Sequence, residues 1–301
     1  MRRIILGVLS ALALTVMPLA ADSHSHHHQS FDNDQDMSVT IDGDDDGVVA
    51  DCSQVKVTYA GEPAVRAEET LPASGLTRLR VNAKRHGGVR VTGWDQRGCS
   101  VQVCKAAKNA TALSDIRASL NGDLLSADTS GEDSFVYFLI RAPRNATLDV
   151  DSTNGPIGIY DVNGTLKLHA ENGPVSVKKS SGTIDASTVN GPISFAGAGS
   201  GTVKLSAENG PISLKLDGSS WDGSLDANTQ IGPISLKLPS NYRSGVVAEA
   251  RGHGPISCHA DACNGAKRTW DDDENRRIEL GSGAAVVHVS TNNGPLSIKE
   301  R

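Results

Sequence analysis

Asn190-Gly191-Pro192-Ile193-Ser194 is one copy of a phrase that returns along this chain. Relatives begin at Asn154-Gly155-Pro156, Asn172-Gly173-Pro174, Asn209-Gly210-Pro211 and Asn293-Gly294-Pro295. With the first residue changed, they recur at Ile231-Gly232-Pro233 and His253-Gly254-Pro255. The phrase has a mechanical reading. Glycine reaches backbone angles closed to other residues and asparagine tolerates the left-handed region, so the pair bends the chain. Proline then fixes φ and removes a donor, which a strand accepts only at its start or at an edge. Each copy therefore reads as a corner, with the proline as the first residue of a strand.

The corners recur at intervals of 18, 18, 19, 22 and 22 residues, and a final interval of 40 fits two turns with an insertion. A weaker corner lies between them, as at Ser181-Gly182 and Asp222-Gly223. Apolar residues alternate after each strong corner (Ile157 and Ile159, Val175 and Val177, Ile212 and Leu214) and after each weak one (Leu166 and Leu168, Val203 and Leu205). Period two with one apolar face means half-buried strands. The expected fold is all-β, a parallel β-solenoid (β-helix) of about 18–22 residues per coil with two main strands per coil. The asparagines should then lie one above another and hydrogen-bond along the stack, interrupted at Ile231 and His253. One coil breaks parity, with Val247, Glu249 and Arg251 falling inward. A bulge that turns Val246, Ala248 and Ala250 inward avoids burying two charges. No helix is expected from residue 48 onward.

The start of the chain reads differently. Arg2 and Arg3 precede an apolar run, Ile4 to Met17, which is short for a membrane span; residues 1–21 read as a secretory signal peptide cleaved near Ala21. Residues 22–50 read as a flexible His/Asp-rich leader, and 51–301 as the solenoid domain, with regular repeats over 148–299. The net charge of −6 becomes more negative once two arginines are removed, which argues against nucleic acid or an anionic membrane as partner. No membrane span is expected after cleavage. Export favours disulfides. Cys258 and Cys263 bracket a small loop. Cys99 and Cys104 lie too far apart along one strand to join each other, so one of them pairs with Cys52 and the other is left over.

Three features could carry chemistry. Asp42, Asp44 and Asp46 open like a calcium loop, but the twelfth position is Ser53 and no flanking helix appears, so an acidic linker is the simpler reading. His24, His26, His27 and His28 would take up a transition metal in vitro, with nothing to hold the segment in place. The outward residues form rows: Ser176, Ser194, Ser213 and Ser235, with Lys215, Lys237 and Lys299 beside them, and Lys167, Asp185, Lys204 and Asp226 on the opposite strands. This hydroxyl-rich face is the candidate surface for a glycan. The rival class is a polysaccharide-active β-helix, for which the 259–280 insertion with Trp270 and Asp271–Glu274 is the candidate site. No other catalytic constellation, and no requirement for a cofactor, is visible.

The repeated NGP-I-x-I phrase resembles the bacterial "putative adhesin" domain family. The likeness extends to Gly88-Val-Arg-Val-Thr-Gly-Trp-Asp95, to Ala142–Val150 and to Gly283–Ile298, and spans residues 76–299. The resemblance implies an exported β-helical protein at the envelope or cell surface, and it supplies no catalytic residues. Together these observations lead to the expectation of a non-enzymatic envelope or surface protein with an adhesin-like or scaffold role, whose partner is a surface glycan or another envelope component.

Overall fold

A computed structural model describes residues 27–33, 37–44, 48–129, 131, 133–197, 199–252, 254–270 and 275–301. The described residues are all-β apart from short helical turns. Four antiparallel strands come first: β1 (His27–Asn33), β2 (Met37–Gly43), β3 (Val55–Tyr59) and β4 (Glu62–Pro63). Then follow β5 (Val65–Leu71), β6 (Arg78–Trp94), β7 (Ser100–Ala107), the helical turn α1 (Ala110–Asp115), β8 (Arg117–Asn121), β9 (Leu124–Asp128) and β10 (Ser134–Pro143). Asn109 caps α1 by accepting from the Ala112 amide at 2.9 Å, and this short helix corrects the expectation of none after residue 48.

From Thr147 the chain alternates between two parallel ladders. The leading ladder takes Thr147–Asn154, Thr165–Asn172, Thr183–Asn190, Ser200–Asn209 and Asp222–Ile231 in turn. The trailing ladder takes Ile157–Tyr160, Val175–Ser180, Ile193–Gly197, Ile212–Leu216 and Ile234–Leu238. Each corner phrase connects one ladder to the other, with proline immediately before the first strand residue. β6 founds both ladders: Arg78 to Ala83 and His86 pair with the first leading strand and Val89 to Thr92 with the first trailing strand. Between the two faces runs one core of stacked aliphatics, including Leu148, Leu166, Ile184, Val203 and Leu225 against Ile157, Val175, Ile193, Ile212 and Ile234, all at most 1% exposed.

The corners are held by more than backbone angles. The turn glycines from Gly155 to Gly232 donate to the next coil, as Gly173 does to the Asn190 carbonyl and Gly232 to the Asn293 carbonyl, both at 2.9 Å. The glycine carbonyl points the same way, toward the nitrogen of the next coil's proline, which has no hydrogen to give. Buried threonines supply the missing donor. The Thr188 hydroxyl donates to the Gly173 carbonyl at 3.2 Å, and those of Thr229 and Thr291 donate to Gly210 and Gly232 at 2.9 Å. Coils approach so closely here that a Cβ on Gly191 would lie 2.3 Å from the Gly173 carbonyl oxygen.

Two features depart from the order along the chain. Ser282–Asn293 and Leu296–Glu300 do not close the stack; they lie between the Asp222–Leu238 coil and the strands Ser244–Ala250 and Ile256–Cys258. The outer edge is then covered by an antiparallel hairpin, Lys267–Trp270 with Arg276–Leu280, rich in charge as protected edges are. At Ser244–Val246 the register shifts, and Val246, Ala248 and Ala250 are at most 1% exposed while Glu249 reaches the rim, so the parity break resolves as a bulge.

Within the 22–50 stretch the described residues include two strands, β1 and β2. Met37, Val39 and Ile41 of β2 are buried, and with Val55, Val57 and Tyr59 they cover Cys104, Ala106, Phe135, Tyr137 and Leu139 on the outer face of β7 and β10. The alternation Met37-Ser-Val-Thr-Ile41 carries a strand signal that the surrounding histidines and aspartates mask in a compositional reading.

Candidate functional site

Parallel register converts sequence spacing into rows of side chains about 4.8 Å apart. On the trailing ladder Ser176, Ser194, Ser213, Ser235 and Ser297 stand in line. Two residues further on, Lys215, Lys237 and Lys299 stack in the same way and are exposed. No carboxylate of the described residues pairs with any of these three lysines; the nearby Asp217 is engaged by Arg301. Like charges directly opposite one another destabilise a sheet, so the packing of the fold does not account for this row.

The leading ladder shows the contrast. Its outward row runs Arg80, Asp149, Lys167, Asp185, Lys204, Asp226, His288, and alternates in sign up to the histidine. Arg80 additionally binds Asp123, whose carboxyl is held below its ordinary range first by that hydrogen bond. One face neutralises itself while the other concentrates positive charge on a chain of net charge −6. Along the corner, Asn172 donates to Asn154 at 3.1 Å, Asn190 to Asn172 at 3.0 Å and Asn209 to Asn190 at 3.2 Å. Ile231, 56% exposed, ends the run. The column therefore reads as a structural brace.

The 259–280 insertion brings together different chemistry. A cleft of about 680 Å³ is lined by Tyr242, Arg243, Asp261, Lys267, Arg277 and Glu279, among others. Glu279 of the cleft is paired: Arg277 binds it at 2.7 Å and also pairs with the neighbouring Glu249. The hydrogen bond from Arg277, and then the charge of Lys267, hold the Glu279 carboxyl below its ordinary range, the wrong direction for a general acid. Trp270 is 71% exposed, with the Arg276 guanidinium 5.9 Å from its ring centre. Asp271–Glu274 lie outside the described residues.

The metal candidates separate. His24, His26 and Asp46 lie outside the described residues, and His27 and His28 belong to β1. The Asp42 carboxylate pairs with Lys56 at 2.7 Å, and Asp44 accepts from the Val48 amide at 2.7 Å. Among the described residues no group of three or more His, Cys, Asp or Glu side chains converges. Cys52 and Cys104 form a disulfide that ties the N-terminal sheet to β7, and Cys258 and Cys263 form a second. Cys99 is free and buried, with its thiol 3.2 Å from the Leu76 carbonyl; burial pushes its pKa from 9.0 to about 11, which suppresses its reactivity.

Sequence reasoning passed over Arg90, a buried cation that faces outward on β6. The available signal was a lone charge inside Val89-Arg90-Val91, opposite a glycine where the other coils carry serine.

No family model matches the chain, and no curated protein does. Among solved structures it is similar to a putative adhesin from Bacteroides fragilis, at 12% identity and a TM-score of 0.38, covering 79% of this chain and 97% of that one. It is also similar to a putative cell adhesion protein from Clostridium sporogenes, at 10% identity and a TM-score of 0.32, covering 79% and 100%. A third, described as a putative lipid binding protein from Parabacteroides distasonis, stands at 10% identity and 0.27, covering 78% and 96%. The family name reached from the corner phrase thus recurs among these structures. Likeness at this level carries no argument about function.

Proposed function

We propose that this chain is an exported β-solenoid that acts without catalysis at the cell envelope or surface, in an adhesin-like role, and that its trailing face docks an acidic glycan. The observation that carries the reading is the row Lys215, Lys237 and Lys299, uncompensated on one ladder while the opposite ladder alternates in sign. A linear polyanion with charges about 5 Å apart would match the strand spacing, and the adjoining serines offer hydroxyls to its sugar rings. Two parallel ladders advancing one coil at a time support the solenoid, and two disulfides support export, with residues 1–21 as the signal. The pairing of Glu279 with Arg277 in the insertion cleft weighs against that residue as the acid of a polysaccharide-active alternative.

The test is a glycan array followed by salt-dependent binding of an acidic polysaccharide. The wild-type chain should retain a uronate polymer, less so as salt rises, and lose it when Lys215, Lys237 and Lys299 are all changed to Gln. Equal retention by the triple variant, or a preference for neutral glycans, would sink the proposal.

A further inference from the structure

At the founding end of the trailing face lies a cavity of about 560 Å³ that has no part in the lysine row. Its floor follows from register. Gln102, Leu139 and Arg90 stand side by side across β7, β10 and β6, and Ser100, Arg141 and Thr92 form the next line. Thr70 of β5 adjoins Gln102, and Val48 to Ala50 line the cavity from the N-terminal sheet's side. Trp94 closes one side, its indole N–H donating to the Gly98 carbonyl at 2.9 Å, so the ring is fixed.

Arg90 is the anomaly. It is 7% exposed, it forms no ion pair among the described residues, and its Nε is buried without a hydrogen-bond partner. The Tyr137 hydroxyl beside it is likewise buried; it lies against the guanidinium, a neutral neighbour that brings no counter-charge, and meets no partner in hydrogen-bond geometry. A buried charge without a counter-charge is costly, because nothing repays its desolvation. The guanidinium rests over Gly158, where a Cβ would come within 2.5 Å of its Cζ. The exception to the serine column is the residue that leaves room for this arginine. Arg141, exposed on the neighbouring line, adds a second guanidinium at the cavity.

We propose that this cavity binds a sugar carboxylate, with Arg90 as its counter-ion. A guanidinium presents a planar fork that matches a carboxylate. Thr70, Thr92 and Ser100 bring hydroxyls for a polyol ring, while the Gln102 amide already meets Glu68 at 3.1 Å. The fixed Trp94 ring suits the apolar face of a pyranose. A volume of about 560 Å³ holds one or two such rings. The acid could arrive as a free sugar or as the end of a glycan chain. The inference stands apart from the lysine row, which the triple variant tests separately.

The experiment is calorimetric titration of the full chain with methyl glucuronide, a glucuronate tetrasaccharide and methyl glucoside. The glucuronide should bind and the glucoside should not; binding of the tetrasaccharide alone would assign the site to chain ends. Arg90→Gln should weaken binding at least tenfold. Gly158→Ala, which pushes the flexible guanidinium aside without removing it, should do the same at an unchanged melting temperature. Lys204→Gln on the opposite ladder should have no effect. Binding of neither acid, equal binding of glucoside and glucuronide, or full affinity in Gly158→Ala would overturn the assignment.

Discussion

Replacing Thr229 with valine tests how the corners are held. The side chain is fully buried and its hydroxyl donates to the Gly210 carbonyl at 2.9 Å, the bond that Pro233 cannot make. Valine keeps the shape, so no cavity opens. What remains is a buried carbonyl stripped of its donor, a loss of about 1–3 kcal/mol, offset in part by the gain from one more buried methyl. The expected net destabilisation is about 1–2 kcal/mol, or about 2–4 °C in melting temperature for each kcal/mol in a chain of this size. The same column supplies the converse. Ala207 stands in register between Thr188 and Thr229, 1% exposed, with no hydroxyl to offer Gly191. Ala207→Thr should therefore stabilise, by about 0.5–1.5 kcal/mol. Urea melts of Thr229→Val, Thr229→Ser and Ala207→Thr decide the matter. The serine variant should fall between wild type and valine. A valine variant as stable as wild type, together with a neutral or harmful Ala207→Thr, would refute the idea that threonine substitutes for the proline donor.

Two further outcomes follow from the covalent and titratable groups. Changing both Cys52 and Cys104 to serine frees a loop of 52 residues, a loss of roughly 4 kcal/mol from chain entropy, which should fall on the N-terminal sheet. Hydrogen exchange should show Met37–Tyr59 losing protection while Thr147–Asn209 keeps it; a uniform loss across both would count against local anchoring. Cys99 predicts a pH effect. Its thiol holds its proton to about pH 11 in the fold but releases it at its ordinary 9.0 when unfolded, so its contribution is whole below 9.0 and is lost as pH rises toward 11. Between pH 9 and 10 the wild-type chain should lose about 1 kcal/mol more stability than Cys99→Ala. Parallel pH profiles of the two chains would disprove it.

Much of the architecture was legible because corner and alternation are both local signals. Asn190-Gly191-Pro192 states where the chain bends, and Ile193 and Phe195 state which face is buried, without reference to anything distant. The rows of serine and lysine then follow from spacing alone, since parallel strands preserve it. What escaped was what register with distant segments decides. That Asn293 pairs beside Ile231, and not beyond His253, is hinted at only by Thr291 repeating the threonine of Thr229's column. β2 was hidden by its acidic neighbours. Arg90 looked like an ordinary outward residue, because nothing local says that β10 and the N-terminal sheet will bury it. The threonine donors were invisible for the same reason, since each acts on the coil before it.

The placement of Ser282–Glu300 inside the stack sets the order of synthesis against the order of assembly. Ser244–Ala250 and Ile256–Cys258 emerge first, and their eventual neighbours do not yet exist. The exposed edges they then face are Asp222–Ile231 and Ile234–Leu238, which present the same glycine, proline and isoleucine pattern and invite pairing one coil out of place. The observed arrangement is reached most directly if this edge stays open until Ser282–Glu300 can be inserted. A chain that crosses a membrane in extended form before folding meets that condition. A chain that folds as it leaves the ribosome exposes the edge to pairing one coil out of place.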